Sequence, residues 1–260
     1  MRKTSGVAPN LLLHDDPRYV RWRASLKKRP GPWNKGKNKE NDPSVRKISE
    51  TFKIKHINNF ANWRKQMIRE GKILANPRPL KKNRMTATLI GLVLGDGNIH
   101  KFPRTEKLTI TLGTDKPDLI TFAERLTEQV FSKATMTLKH GLCKAVRITL
   151  YQKSISSRME IPSGSRRYSK TGIPQWIWGS RTYLISCLKG LCEAEASYSV
   201  HLPSSTYNFS FHNRNPKLLS DASKALKKLG YHPEIRTYAI RLRKKDEVKS
   251  FVDLIKFRIY

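Results

Sequence analysis

Two apolar stretches stand out from an otherwise polar and basic chain. Residues 85–95 contain no charge and run directly into Asp96, and residues 182–192 end three positions before Glu195. Each stretch carries small residues four positions apart, a spacing that lets two helix backbones approach closely. These residues are Gly91 and Gly95 in the first stretch and Gly190 and Ala194 in the second. The pattern predicts two helices that pack on each other and end in acidic residues.

A second helix signal follows each apolar stretch at a similar distance. About twenty residues after the terminal acid, an Asx residue is followed closely by a proline: Asp115 in the first case and Asn215 in the second. An Asx side chain accepts hydrogen bonds at a helix N-terminus, where proline also fits. The chain therefore contains a tandem pseudo-repeat, with residues 85–181 and 182–260 as its two halves.

Between these helices, apolar and polar residues alternate with the period of antiparallel strands that bury one face. If the helices cover the apolar face, each half consists of a helix, two strands, a helix, two strands and a helix. The predicted fold class is α+β, with two pseudo-symmetric αββαββα halves packed through their apolar helices. The polar residues predicted to share the opposite face are Lys107, Thr109, Thr111, Thr135, Thr137, Lys139, Arg147, Thr149, Tyr151, Asn208, Ser210, His212, Arg241 and Arg243.

A polar sheet face can be merely solvated, and the charge of the chain favours a binding role instead. The 260 residues include 52 Lys and Arg against 20 Asp and Glu, a formal net charge of +32. Such an excess indicates a polyanionic partner. Arg, Lys, Thr, Ser, Asn and His contact phosphates and base edges, and a two-stranded ribbon fits the major groove. We therefore expect the two polar faces to bind nucleic acid.

Other classes of protein fit the sequence poorly. No run approaches the roughly 18–20 apolar residues of a membrane span, and the first residues do not resemble a secretion signal. The three cysteines, Cys143, Cys187 and Cys192, show neither a zinc-binding spacing nor an even-numbered disulfide framework. We expect a location in the cytoplasm or an organelle matrix, wherever the host DNA lies, and no contact with a membrane.

The first third of the chain differs from the rest. Residues 1–84 contain 23 Lys and Arg against six Asp and Glu, and their Pro, Gly and Asn content indicates loops and short basic helices ending in a linker. We interpret this segment as a small basic N-terminal extension that binds DNA.

The two terminal acids, Asp96 and Glu195, are the candidate catalytic residues. An anion at a helix C-terminus opposes the helix dipole, so another interaction must compensate. If the helices pack together, Asp96 and Glu195 become neighbours that would share a proton unless a divalent cation binds both. Carboxylate oxygens suit Mg²⁺, with Mn²⁺ as a substitute. In the alternative, Asp96 only caps a turn with Gly97 and Glu195 is a surface acid.

The motifs at residues 89–97 (LIGLVLGDG) and 188–196 (LKGLCEAEA) resemble the two motifs of a LAGLIDADG homing endonuclease. The resemblance covers roughly residues 85–260. It implies a monomer whose motif helices form the interface between the halves, with a saddle of antiparallel strands over a long, asymmetric DNA duplex. It also implies that Asp96 and Glu195 are the catalytic metal ligands, with the backbone carbonyls of Gly95 and Ala194 as further ligands.

The same resemblance implies a basic catalytic residue near the end of the last strand of each half. These positions fall on Lys153 and Lys245, with Lys244 as a neighbouring candidate; a solvated lysine is the alternative in each case. The second motif departs from the family pattern, because Glu195 stands in place of Asp and Ala196 in place of Gly. A longer carboxylate can still bind a metal ion, but it alters the geometry at one DNA strand.

The predicted function is that of a site-specific double-strand DNA endonuclease that requires Mg²⁺. The main alternative is a noncatalytic nucleic-acid-binding protein on the same fold, either an intron RNA maturase or a transcriptional regulator. A basic structural protein of a ribosome or nucleoid would leave the two repeated acids unexplained.

Two basic segments remain open. Residues 31–37 (GPWNKGK) with the following helix resemble NUMOD-type DNA-binding modules, which makes Trp33, Asn34, Lys35 and Lys37 candidate DNA contacts; a flexible basic arm is the alternative. Arg166, in a loop before the second half, either contacts phosphate or is solvated.

Overall fold

The computed structural model describes residues 16–28, 31–57, 59–72, 77–139, 144–166 and 170–258. Its contacts divide the chain after Leu74, ten residues before the boundary that composition indicates. Residues 77–83 belong to the larger unit, because Leu80 packs against its core and the Tyr183 hydroxyl donates a hydrogen bond to the Lys82 carbonyl at 3.0 Å.

The described residues of the smaller unit form three helices, α1 (Pro17–Lys28), α2 (Pro43–Ile54) and α3 (Asn59–Arg69). The start of α2 is fixed by Asp42, whose carboxylate accepts hydrogen bonds from the backbone amides of Ser44 and Val45. Helices α2 and α3 match the short basic helices expected in this segment, whereas no periodic pattern predicts α1. In α1 the apolar residues Val20, Trp22, Ala24 and Leu26 recur at every second position, so the sequence lacks the helical period that predicts a helix.

The larger unit contains the two predicted repeats. The first half comprises α4 (Arg84–Asp96), β1 (Gly97–Lys101), β2 (Glu106–Gly113), α5 (Pro117–Phe131), β3 (Met136–Lys139), β4 (Ala145–Gln152) and α6 (Ile155–Met159). A short helix, α7 (Gln175–Trp178), precedes the second half. That half comprises α8 (Arg181–Glu195), β5 (Ala196–His201), a 3-10 turn (Leu202–Ser204), β6 (Thr206–His212), α9 (Pro216–Lys228), β7 (Glu234–Ile235), β8 (Ala239–Leu242) and α10 (Lys245–Ile255).

The two halves share one topology. The strand orders are β1-β2-β4-β3 in one sheet and β5-β6-β8-β7 in the other, and every pairing is antiparallel. The α+β class and the αββαββα order are therefore confirmed.

Helices α4 and α8 pack through reciprocal glycine contacts. A Cβ atom on Gly91 would lie 2.0 Å from the Cys187 carbonyl oxygen, and one on Gly190 would lie 2.0 Å from the Thr88 carbonyl oxygen. Real side chains never approach a backbone atom so closely, so both positions require glycine. The reciprocal contact gives the larger unit its approximate two-fold symmetry.

The core lies between these helices and the inner faces of the sheets. It includes fully buried leucines of α4 and α8 and an aromatic cluster in which the Phe209 and Phe251 rings meet edge to face at 5.1 Å. Cys187 and Cys192 belong to this core as free thiols, and burial raises the pKa of the Cys187 thiol to about 12. Cys143 lies outside the described residues.

The register of β3 corrects one predicted face. Thr137 pairs with Ile148 and Lys139 with Val146, which places both on the helix side of the sheet. The Thr137 hydroxyl donates to Glu124 of α5 at 2.7 Å, and the Thr135 hydroxyl, just before the strand, donates to Glu128 at 3.1 Å. Thr135, Thr137 and Lys139 therefore do not belong to the polar face. On the helix side, the short edge strand β3 and the residue before it contact the carboxylates of Glu124 and Glu128 on α5 and not apolar core side chains.

Candidate active site and nucleic-acid interface

The two motif acids occupy equivalent helix ends. Asp96 is the last residue of α4 and Glu195 is the last residue of α8, and in each half the chain then turns directly into an extended strand. A Cβ atom on Gly95 would lie 2.5 Å from the Ala194 Cβ and 3.0 Å from the Glu195 Cγ. The ends of the two helices therefore touch, and both acids are half-buried at that contact.

The surroundings of the acids oppose their ionisation. Burial raises the pKa of Asp96 to about 7, and the negative charge of Glu195 adds to the shift, while the charge of Lys116 works against it. Burial also raises the pKa of Glu195, against the effect of the Asn213 side-chain amide, which donates to its Oε1 at 3.0 Å. The negative charge of Glu195 is thus close enough to disfavour ionisation of Asp96.

This pair has the donors that a hard divalent cation prefers. Among the described residues, no group of three or more His, Cys, Asp and Glu side chains could hold a metal ion. A cation here would therefore take the carboxylates of Asp96 and Glu195, with carbonyl, water or phosphate oxygens completing its shell. Magnesium sites of this kind use one or two carboxylates and keep several waters or phosphate oxygens. The donor set fits Mg²⁺ or Mn²⁺.

Glu193, a third acid near the end of α8, is excluded from this pair. Its side chain is fully buried, and Arg258 Nη1 donates to its Oε1 at 2.7 Å.

An open cleft of about 510 Å³ leads to Glu195. Its lining combines the helix ends with basic and amide side chains from the loops after β6 and before α7. The lining residues are Leu94, Gly95, Arg166, Glu195, His212, Asn213, Arg214, Asn215 and Tyr238. A phosphate group could therefore reach the carboxylate beside positive charge.

Sequence reasoning missed Lys116 and Asn213 as neighbours of the acids. Both lie about twenty residues after their acid, in the loop that ends at the helix of the repeat. The repeated Asx–proline signal marked these loops but was interpreted only as helix capping. Comparing the residues that directly precede the two prolines would have revealed Lys116.

Arg166 supports the helix end instead of being solvated. Its Nη2 donates to the carbonyls of Val93 at 2.7 Å and Gly97 at 2.5 Å. A guanidinium at this position compensates the negative end of the α4 dipole. The adjacent Arg167 lies outside the described residues.

The structure does not bring Lys153 or Lys245 to the acids. Lys153 follows Gln152, which pairs with Glu106 at the end of the sheet away from Gly97. The Nζ of Lys245 lies 5.4 Å from the centroid of the Tyr207 ring, at the corresponding far end of the second sheet. At about 3.3 Å per strand residue, each lysine is roughly 13 Å along its sheet from the helix end.

Lys244 does not reach the acids either, because it pairs with Glu247 at 3.5 Å. The strand register therefore places Lys153 and Lys245 away from the acids, and Lys116 is the lysine whose charge acts on Asp96.

One face of the first sheet, here called the first open face, lies away from the helices. Its predicted members Lys107, Thr109, Thr111, Arg147 and Tyr151 are exposed or half-buried there. The β1 register adds Asn98 and His100. Thr149 shares the face but is buried, and its hydroxyl donates to the Met136 carbonyl at 2.9 Å. Thr149 is therefore occupied within the sheet.

The second sheet has an equivalent surface, the second open face. Asn208, His212 and Arg241 lie on it with different degrees of exposure, and Arg243 is exposed just after β8. Ser210 is buried, and its hydroxyl lies 2.9 Å from that of Ser197 on β5. Ser210 is thus structural, not exposed for binding.

The four candidates in the smaller unit form a compact basic turn. Lys37 Nζ lies 5.5 Å from the centroid of the exposed Trp33 ring and 3.0 Å from the Asp42 carboxylate. The backbone amide of Lys37 donates to the Asn34 carbonyl at 3.0 Å, and Lys35 is exposed in the same turn. The turn is therefore ordered by its own contacts and by the cap of α2.

Within the described part of the chain, every helix is too short or too polar to cross a bilayer.

Comparison with solved structures settles the fold. A structure reported for mesophilic variants of the homing endonuclease I-DmoI matches with a TM-score of 0.50 and 17% identity, covering 66% of this chain and 94% of that one. I-DmoI in complex with DNA and Mn matches with a TM-score of 0.50 and 16% identity, covering 68% and 98%. The chain has the LAGLIDADG fold. Identities this low establish the fold alone.

The other comparisons give no information about the activity of the chain. The N-terminal LAGLIDADG domain of DUF199/WhiA matches at a TM-score of 0.47 and 15% identity, over 68% of this chain and 83% of that one, and carries no further argument. No protein-family model and no curated protein matches the chain. The LAGLIDADG assignment therefore rests on structural similarity and on the two motifs.

The raised pKa of Asp96 predicts how stability depends on pH without metal. The folded state holds the Asp96 proton up to about pH 7, whereas the unfolded chain releases it near its ordinary value of 3.8. Between these values the folded state binds more protons, so the free energy of unfolding falls as pH rises and levels off above about pH 7. Substituting Asp96→Asn removes the contribution of Asp96 to this dependence.

We expect the free energy of unfolding of Asp96→Asn to exceed that of the wild type by about 2 kcal/mol at pH 8. The raised pKa of Asp96 corresponds to a larger free energy, and we reduce it because the side chain is partly exposed to solvent. The difference should shrink towards pH 4.5. Urea unfolding in the presence of a chelator measures it, and a difference that is constant with pH would contradict the assignment.

Proposed function

We propose that the chain is a site-specific endonuclease that cleaves both strands of a long, asymmetric DNA target with a divalent metal ion, Mg²⁺ or Mn²⁺. The observation that carries the proposal is the electrostatic pairing of Asp96 and Glu195 at the touching ends of α4 and α8. Two half-buried acids whose pKa values are both raised by burial are unfavourable for the metal-free protein, which makes a functional role the better explanation.

Different residues of the site would bind the cation, supply positive charge and orient a carboxylate. Asp96 and Glu195 would hold the cation, and one acid from each half would serve one strand of the duplex. A bound divalent ion lowers the pKa of water and stabilises charge on the phosphate oxygens. Lys116 supplies positive charge beside Asp96, while Asn213 orients the Glu195 carboxylate through its amide. The products are a 5′-phosphate or 3′-phosphate end and a hydroxyl, formed without a covalent enzyme intermediate.

The open faces would bind the duplex. Both present Arg, Asn and His side chains that can reach base edges or phosphates, on a chain with a net charge of +32. The two faces belong to halves related by pseudo-symmetry but differ in nearly every residue. A single chain therefore suits an asymmetric site, and we expect it to act as a monomer.

We also propose that residues 1–84 add affinity for the DNA flanking the target. The exposed Trp33 and the lysines of its turn offer stacking and phosphate contacts. The contacts of this turn support the proposal whether or not residues 75–260 have the assigned fold.

The test is cleavage of a plasmid carrying the host locus without its insertion. We expect conversion of supercoiled plasmid to the linear form in the presence of Mg²⁺, no conversion with a chelator, and none for a plasmid lacking the locus. Tight, site-specific binding with no cleavage in Mg²⁺ or Mn²⁺ would favour the transcriptional regulator. Preferential binding to the folded intron RNA would favour the maturase.

A further inference from the structure

Two large apolar side chains lie on the first open face, among polar residues. Met136 and Leu138 of β3 are 56% and 54% exposed. Met136 pairs with Thr149 and Leu138 pairs with Arg147, so both side chains point to the side of the sheet away from the helices. Exposing these two side chains to water gives up the free energy of burying them, which suggests that a ligand covers them.

Their neighbours indicate what that ligand is. Leu138, Arg147 and Thr111 form one row across β3, β4 and β2. Directly opposed residues on one sheet face have Cβ atoms about 5 Å apart, so Leu138 lies beside the exposed guanidinium-bearing side chain. The adjacent row contains the pair Met136 and Thr149. The Thr149 hydroxyl already donates a hydrogen bond to the Met136 carbonyl, so the Met136 side chain is the group of this pair that is available to a ligand.

We propose that Met136 and Leu138 read the 5-methyl groups of thymine in the major groove, next to a guanine contacted by Arg147. The thymine methyl is the apolar group that a base pair presents in this groove, and arginine contacts guanine through O6 and N7. A second copy of this chain, with a net charge of +32, would repel Arg147, whereas DNA attracts it. The assignment rests on the proposed binding of duplex DNA and specifies which bases the first half recognises.

The experiment starts from duplexes selected by the full-length protein out of a random library in a chelator, so that binding is measured without cleavage. Thymines in the selected sequence are then replaced one at a time by deoxyuracil, which lacks only the methyl group. Burying one such group is worth about 0.8 kcal/mol, or about a fourfold change in Kd. We expect one or two adjacent thymines to show this loss.

Substitution identifies the side chains responsible. Leu138→Gln and Met136→Gln should each abolish the thymine-to-deoxyuracil difference at one position and leave the others unchanged. Ile235→Gln is the matched control, because Ile235 is 60% exposed but pairs with Ile240 on the helix side of the second sheet. All three positions are at the surface, and thermal melts check that the variants remain folded.

The outcomes separate the two proposals. If the protein selects no duplex, DNA binding itself is overturned, and this assignment with it. If it selects a duplex but binds thymine and deoxyuracil equally at every position, only the present assignment is overturned. The same holds if Leu138→Gln and Met136→Gln both keep the full thymine preference.

Discussion

Asp96→Asn should reduce double-strand cleavage by on the order of 10³-fold or more. The substitution keeps the size and shape of the side chain but removes one of the two negative charges that would hold the divalent ion. Metal ions contribute several kcal/mol of transition-state stabilisation in phosphoryl hydrolysis, and each 1.36 kcal/mol corresponds to a factor of ten in rate. Plasmid linearisation under single-turnover conditions measures the effect.

Binding should change little in the same variant. Asp96 is half-buried and is not among the basic and polar side chains of the open faces, so we expect the Kd of the variant for the target duplex to stay within about threefold. Asp115→Asn is the matched control, since it removes the same charge from an exposed acid in the loop before α5 and should leave cleavage intact. Equal cleavage by Asp96→Asn and the wild type would remove Asp96 from the catalytic site.

The helices and their terminal acids could be predicted because several local signals agree. An uncharged apolar stretch with small residues four apart has few alternatives to a buried helix packed against a similar one. The reciprocal contacts of Gly91 and Gly190 show that the spacing was the decisive signal. Alternation in the longer strands β2 and β6 likewise identified their buried faces.

The short edge strand β3 shows what alternation cannot decide. A period of two separates residues into two sets, but it does not determine which set faces the core when only four residues pair with one neighbour. Here Glu124 and Glu128 of α5 accept hydrogen bonds from threonines on the helix side. These hydrogen bonds hold the threonines on the helix side of the sheet, and the apolar side chains of β3 lie on the open face.

The immediate surroundings of the acids could not be predicted, because the pseudo-repeat is inexact at this point. Asn215 caps α9 as expected, accepting from the amides of Lys217 and Leu218. Its counterpart Asp115 does not cap α5, which begins after Lys116 without a side-chain cap. Consequently Asp96 experiences a lysine charge while Glu195 receives an amide hydrogen bond, and the two halves differ chemically at the proposed active site.

Arg258→Ala should lower the free energy of unfolding by about 3 to 5 kcal/mol, the usual cost of removing one partner of a buried ion pair. Glu193 is fully buried on α8, and Arg258 Nη1 donates to its Oε1 at 2.7 Å. The Arg258 guanidinium also lies 4.2 Å from the centroid of the Phe122 ring on α5. The chain after α10 thus links helices from both halves, and urea unfolding measures the loss.

Two comparisons isolate the buried charge as the cause. Arg236→Ala removes an arginine that is 55% exposed and paired with Glu234 at the surface, and it should cost less than about 1 kcal/mol. Adding Glu193→Gln to Arg258→Ala should recover part of the loss, because no charge then remains in the core. If Arg258→Ala costs no more than Arg236→Ala, the pair does not stabilise the fold. Because Glu193 lies two residues before Glu195, its ion pair also holds the end of α8 on which the proposed catalytic carboxylate depends.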